Sequence, residues 1–277
     1  MKKLILLLTL VLAALLIVVF LLPPLSSPQE DALPTTQPTE VSVPTEPEVT
    51  QPHEPTLQQN PYKASDFVYQ GDYLSCVSAP YALGIDVSKY QQNVDWQKVA
   101  DSGITFVMIR IGGRGYGQAG NLYADELAQS HYDGARAVGL KVGVYFFSQA
   151  IGREEAEEEA RYALELTAEW QLDMPIVFDW EYVSETARTA NTDAETVTVC
   201  AAAFCDTIQG ANKQAMIYVR PELKKLNLEA LAKYDHWVAW YSDTMDYPYD
   251  FAMWQYTKTG KVPGISGNVD INLYMNP

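Results

Sequence analysis

From residue 64 onward, short strand-like runs rich in Val, Ile, Tyr, Phe and Trp alternate with segments of helical period. That texture commits the chain to an α/β domain. The strand-like runs are 83–87, 106–111, 141–147, 174–180, 214–219, 237–241, 251–256 and 269–274, with helical segments at 96–102, 124–138, 154–170, 193–209 and 228–233. Gly103 and Gly139 stand where helices should stop. Thr192-Asp193-Ala194-Glu195 reads as a capping box for the fourth helix. Eight strands with crossover helices in a domain of this length suggest a barrel of the (β/α)8 type. The last third departs from that plan. The gaps 242–250 and 257–268 lack helical periodicity and carry Pro248, Pro263, Gly264 and Gly267. A parallel crossover usually needs a dozen residues or more, so at least one late strand should run antiparallel.

The run Pro175-Ile176-Val177-Phe178-Asp179-Trp180-Glu181 is apolar and then ends in two carboxylates. Side chains alternate faces along a strand, so Asp179 and Glu181 point one way and Trp180 the other. Two like charges on one face repel and resist burial, which an ordinary buried strand avoids. Glycoside hydrolysis, in contrast, commonly needs paired carboxyl groups, one of them holding a proton near neutral pH. Alone, such a triplet also fits a solvated surface. Catalytic groups of these barrels collect at the C-terminal strand ends. Asp86 lies at the end of the first strand, in Gly84-Ile85-Asp86-Val87-Ser88. Asp270 begins the eighth, and joins the same rim only if that strand is reversed.

These segments carry a family resemblance. Gly84-Ile85-Asp86-Val87-Ser88, Phe178-Asp179-Trp180-Glu181, Trp254-Gln255-Tyr256 and Val269-Asp270-Ile271-Asn272 resemble the motifs of the family 25 glycoside hydrolases, the Chalaropsis-type lysozymes or N-acetylmuramidases. Gly139-Leu140-Lys141-Val142-Gly143-Val144-Tyr145-Phe146-Phe147 resembles that family's third strand. The match covers roughly residues 82–276, in order. The resemblance implies a flattened TIM-like barrel of five βα units and three further strands, the last antiparallel. It implies Glu181 as general acid and Asp179 as its partner, orienting the substrate acetamido group or stabilising developing positive charge. Asp86 and Asp270 would be supporting acids at the cleft floor, and no cofactor is needed. Many members have His where Phe146 stands, a departure that could alter a subsite.

Weaker candidates surround these acids. Tyr145, Tyr218, Trp240 and Trp254 lie toward strand ends, where they could stack on sugar rings or pack as core. Gln255 belongs to one of the quoted motifs. Arg110 interrupts an apolar strand and reads as a charge partner in the cleft. Asp125 reads as a helix cap, with the cleft as the alternative, and Gly112-Gly113-Arg114-Gly115-Tyr116-Gly117 as a flexible rim loop.

Composition narrows the partners. A formal net charge of -16 argues against nucleic acid, which would select a basic face. Part of that charge sits in Glu154, Glu155, Glu157, Glu158 and Glu159, expected to be solvated. The 18 Tyr and 6 Trp supply rings suited to flat sugar faces. With only His53, His131 and His236, a His-based zinc site or a Ser-His-Asp triad is improbable. Cys200 and Cys205 are poorly placed to bridge each other and read as buried thiols, while a bridge from Cys76 to either stays open.

Ahead of the domain, Lys2 and Lys3 precede an uncharged apolar run, 4–22, that as a helix would be about 28 Å long. No clear small-x-small cleavage site follows, so residues 1–22 read as an uncleaved anchor with the lysines cytoplasmic; a cleaved signal peptide is the alternative. Residues 23–63, rich in Pro, Thr, Glu and Gln, read as a disordered linker of reach on the order of 100 Å. Residues 64–277 form the expected catalytic domain, monomeric and outside the cytoplasm. The leading expectation is a muramidase acting on peptidoglycan glycan strands. The alternatives are a non-catalytic wall-binding module that keeps the cleft, and an oxygen-ligand metal site built from the same carboxylates.

Overall fold

The computed structural model describes residues 56–277, so the expected anchor at 4–22 and the linker up to residue 55 lie outside the described residues. The last residues assigned to the linker are seated on the domain. Gln59 bridges Tyr249, the Asn60 amide donates to Pro248 O at 3.0 Å, and the Tyr62 ring packs 5.5 Å from Phe251. Domain contacts therefore begin before residue 64. A hairpin follows, β1 (Phe67–Gln70) and β2 (Tyr73–Cys76). It lies against the outside of the barrel, with the Phe67 ring edge-on to Trp254 at 4.9 Å.

All eight expected strands form, as β3 (Tyr81–Val87), β4 (Phe106–Arg114), β6 (Lys141–Ser148), β7 (Ile176–Trp180), β8 (Ala215–Val219), β9 (Asp235–Ala239), β10 (Met253–Gly260) and β11 (Val269–Met275). A short strand, β5 (Leu122–Ala124), adds antiparallel to the outer end of β4. The barrel order is β3-β11-β10-β9-β8-β7-β6-β4, closed by pairing of β3 with β4. Neighbours pair parallel except at β11, which is antiparallel to both β10 and β3. The late strand expected to reverse is thus the last one. β9 and β10 stay parallel, joined by a non-helical connection that returns from the C-terminal rim to the opposite end of the barrel.

Four α-helices cover the barrel: α1 (Trp96–Asp101), α2 (Ala128–Ala137), α3 (Arg153–Leu166) and α4 (Ala194–Gly210). The helix expected at 228–233 is instead a succession of turns, with amide bonds such as Leu231 to Leu228 O and Tyr234 to Leu231 O spanning three residues. Helix α2 begins later than expected because residues 122–124 are taken by β5. Asp193, not Thr192, caps α4, its carboxylate accepting from the Thr196 amide at 2.8 Å. Gly103 and Gly139 have φ of 97° and 81°, the left-handed conformation that stops α1 and α2 at little cost.

Period-two alternation divides each strand between two cores. Phe106, Met108, Val177, Met216, Trp237 and Met253 fill the barrel interior. Their neighbours Val107, Ile109, Phe178 and Ile217 face the helices. The interior is filled because β3 and β6 yield room: a Cβ on Gly84 would land in the Phe106 ring, and one on Gly143 would strike the Met108 sulfur. With large side chains packing the lower barrel, the hollow left open at the C-terminal rim is bordered mainly by polar side chains.

Two charged segments differ from expectation. Residues 112–114 extend β4 rather than forming a loop, since Gly112 and Gly113 admit the close backbone of β5 and β6. Arg114 is buried and donates to Glu159 at 2.8 Å and Glu158 at 2.7 Å. Glu159 is accordingly not solvated: its side chain is fully buried, accepts from Ser148 Oγ at 2.6 Å, and is pushed up to about 7 by burial. Cys76, Cys200 and Cys205 are all free and buried.

Candidate active site

Asp86, Asp179, Glu181 and Asp270 all line one hollow of about 190 Å³ at the C-terminal mouth of the barrel. Asp86 ends β3. Asp270, near the start of the reversed β11, stands directly across from it in the strand register. Asp179 lies on β7, and Glu181 follows one step beyond the strand on the same face. Trp180, between them, faces away into a neighbouring cavity, as alternation requires.

Each acid has a distinct environment. Asp86 is buried, and its Oδ2 accepts from Gln255 Nε2 at 2.8 Å and Asn272 Nδ2 at 2.9 Å. Burial, then the charge of Asp270, holds its carboxyl well above the usual aspartate range despite those two donors. Asp179 is also buried and shifted strongly upward, by burial first and then by Glu181 and Asp86. Its Oδ1 has no hydrogen-bond partner among the described residues. Asp270 is pushed up to about 6, again by burial before the Glu181 charge. Glu181 is the open one, with 32% of its side chain exposed, and its Oε2 accepts from Arg220 Nη1 at 2.7 Å. Four carboxyls this close cannot all ionise, so the cluster retains protons near neutral pH.

Polar neighbours hold this geometry. Gln255 Oε1 accepts from the hydroxyls of Tyr218 at 2.7 Å and Tyr241 at 2.9 Å, which fixes its amide with the nitrogen toward Asp86. Asn272 Oδ1 accepts from Trp237 Nε1 at 2.8 Å, fixing that amide in the same sense. Behind β7, the fully buried Gln149 donates from Nε2 to Glu181 O at 2.9 Å and accepts from Thr189 Oγ1 at 2.6 Å. Arg220 forks between Glu181 and Glu222, reaching the latter at 2.6 Å.

Of the aromatic candidates, Tyr145 and Tyr218 line the hollow, and burial pushes both phenols far upward so that they stay neutral. Arg110 lines it too, bound through Nε and Nη2 to Asp125 at 2.8 and 2.7 Å. Asp125 neither caps α2, whose N-terminus at Leu127 has no side-chain cap bond, nor lines the hollow; it accepts from the Leu127 amide at 3.0 Å and holds Arg110. Trp254 does not reach the hollow: it points outward from β10, fully buried under Phe67, with Nε1 donating to Trp240 O at 2.7 Å. Trp240 borders the neighbouring cavity instead. Phe146 packs toward the helices against Phe204 and Tyr162, so its departure from the family residue touches no cleft subsite.

Sequence reasoning did not single out Trp237, Tyr241, Asn272 or Arg220. A local signal existed for two of them. Asn272 follows Asp270 by two residues, and Arg220 follows Tyr218 by two, the spacing that already linked Asp179 to Glu181. Among the described residues, no three His, Cys, Asp or Glu side chains are arranged to hold a metal ion.

The fold is a mostly parallel, closed eight-stranded barrel with one antiparallel closing strand and acids at its C-terminal mouth. The model of Glycosyl hydrolases family 25 matches residues 85–265, and the chain belongs to that family. It is 26% identical over 191 residues to the autolytic lysozyme of Clostridium acetobutylicum, across 68% of this chain and 54% of that one. It is 27% identical over 219 residues to lysozyme M1 of Streptomyces globisporus, across 69% and 67% of the two chains. Among solved structures it resembles the modular autolysin LytC of Streptococcus pneumoniae in complex with a synthetic peptidoglycan ligand. That match has a TM-score of 0.63 and 25% identity, covering 75% of this chain and 52% of LytC. The chain thus spans about half the length of the Clostridium enzyme and of LytC.

Proposed function

We propose that this chain is a muramidase that cleaves the β-1,4 bond between N-acetylmuramic acid and N-acetylglucosamine in peptidoglycan. The observation that carries the reading is the convergence of Asp86, Asp179, Glu181 and Asp270 on one sugar-sized hollow, with three of them shifted toward the protonated form. Family membership and a relative solved with a peptidoglycan ligand support it.

The geometry suggests how the acids divide the work. Asp179 and Glu181 share a face, and their mutual repulsion keeps a proton on the pair. Glu181, open at the mouth, is placed to deliver that proton to the leaving glycosidic oxygen. The carboxylate it becomes is met by Arg220, already 2.7 Å away. Glu222 keeps Arg220 in position throughout the cycle. The unpartnered Oδ1 of Asp179 is available to the substrate's acetamido group or to positive charge developing at the anomeric carbon. Tyr145 and Tyr218 offer neutral walls for a sugar ring. Residues 4–22 would hold this domain outside the cytoplasm, facing the wall.

Replacing Glu181 with Gln removes the transferable proton and keeps the side chain's shape. The variant should release new reducing ends from purified peptidoglycan at least about a hundredfold more slowly than wild type. Analysis of the products identifies the cut bond, since the new reducing sugar should be N-acetylmuramic acid. Unchanged release by the variant discards the mechanism. Tight glycan association without products from wild type would instead support a binding module.

A further inference from the structure

Beside the acidic hollow, at the same rim, lies a second cavity of about 370 Å³ that the proposed mechanism does not use. The two share Tyr218 as a wall, and Arg220 lines the second while pairing with Glu181 in the first. The second cavity therefore adjoins the reaction site.

Its lining has three features that together specify a ligand. Its floor is apolar, with Leu223, Leu226 and Trp240 among the residues that form it. Two of its lining residues carry a buried polar atom without a partner: Trp180 Nε1 and Tyr247 OH, on residues 4% and 2% exposed, have no hydrogen-bond partner among the described residues. Such orphans normally find a partner, and an indole nitrogen can only donate. Finally Lys224 and Lys225 stand along this cavity in a chain whose formal net charge is -16, Lys225 with one donor on Thr192 O and the nearby Arg220 engaged by Glu181 and Glu222. Donors and cations over an apolar floor suit a ligand of carbonyls and carboxylates joined by small apolar groups.

On the reading that the neighbouring hollow binds a muramoyl sugar, we propose that this cavity receives the acyl-linked, acidic peptide stem carried by that sugar. The enzyme then selects peptide-bearing glycan over bare glycan. Trp180 connects the two recognitions: it stands between Asp179 and Glu181 on β7, so one strand end presents acids to the sugar and an indole N–H to the peptide.

The test uses glycan strands with their stems and the same strands stripped of stems by an amidase. Two measurements are made: cleavage by wild type and by Trp180→Phe, Tyr247→Phe and Lys224→Ser, and binding to the Glu181→Gln variant. Wild type should prefer peptide-bearing strands by about tenfold or more in kcat/KM, the worth of one charge-assisted hydrogen bond. Each of the three variants should lower that ratio through KM. Peptide-bearing strands should also bind the Glu181→Gln variant more tightly. Equal cleavage and equal binding of the two strands overturn the assignment and leave the muramidase reading standing. Variants that slow both strands alike also overturn it, marking the cavity as part of the sugar path. Peptide-dependent binding with no cleavage of either strand by wild type would sink the hydrolase while supporting the peptide cavity.

Discussion

Asp86 and Asp270 face each other across adjacent antiparallel strands, paired residue to residue in the register of β3 and β11. They are 184 positions apart in sequence number by subtraction of 86 from 270. Their side chains share the barrel mouth because the last strand runs against all the others. Like charges directly opposed on a sheet are destabilising, so this pairing is a cost to the fold that only a site would keep.

Burial of Asp270, and after it the charge of Glu181, predicts a pH-dependent stability. Folded Asp270 holds its proton up to about 6, whereas an ordinary aspartate releases it near 3.8. Between those values the folded state binds more protons than the unfolded one, so stability falls as pH rises through the window. Asp270→Asn removes the charge and should stabilise the protein at neutral pH by on the order of 1–3 kcal/mol. Thermal melts should show that gain shrinking toward pH 4. A variant that melts below wild type at neutral pH refutes the account.

Arg220 should set the alkaline edge of activity. Its charge counts among the influences that lower the Asp179 carboxyl, against the larger effects of burial and Glu181. Arg220→Gln should therefore raise Asp179 further and move the alkaline limb of kcat/KM to higher pH. The rate itself should fall by roughly tenfold or more, because the carboxylate formed at Glu181 loses its counter-charge. A pH–rate profile checks both, and a limb that stays put contradicts the role.

Asn272 holds Asp86 and Trp237 at once. Asn272→Leu would strip one donor from Asp86 Oδ2 and leave Trp237 Nε1 without its acceptor. The expected cost is about 1–3 kcal/mol in urea unfolding, the penalty for stranding a buried polar group. Asp86 should also shift further upward, since the Asn272 bond works to lower it.

The Arg114–Glu159 pair should respond unequally to its two deletions. Arg114→Ala leaves a buried carboxyl without its cation and should cost about 3–5 kcal/mol. Glu159→Gln should be milder, because burial already holds Glu159 at about 7. The amide oxygen can keep the bond from Arg114, and the NH2 in place of Oε2 can donate to Ser148 Oγ with that hydrogen bond reversed. Denaturant midpoints of the two variants decide the order, and equal losses would count against it.

Much of this protein could be read along the chain. Eight strand positions, the shared face of Asp179 and Glu181, and the opposite aim of Trp180 all follow from backbone alternation, which acts between near neighbours. Gly103 and Gly139 announced helix ends for the same local reason. The turns at 228–233 escaped that reading, as six residues of helical pattern do not sustain a helix without packing to favour it.

What the linear order determined is therefore the set of acids and their strands. Only the closed barrel decided that Asp270 crosses to Asp86, that Trp254 faces outward under Phe67, that Glu159 is buried on Arg114, and that Arg220 reaches Glu181. Strand direction, partner choice and burial depend on contacts between residues far apart in the chain. Their energies are settled by which arrangement buries the apolar faces and satisfies the buried charges together.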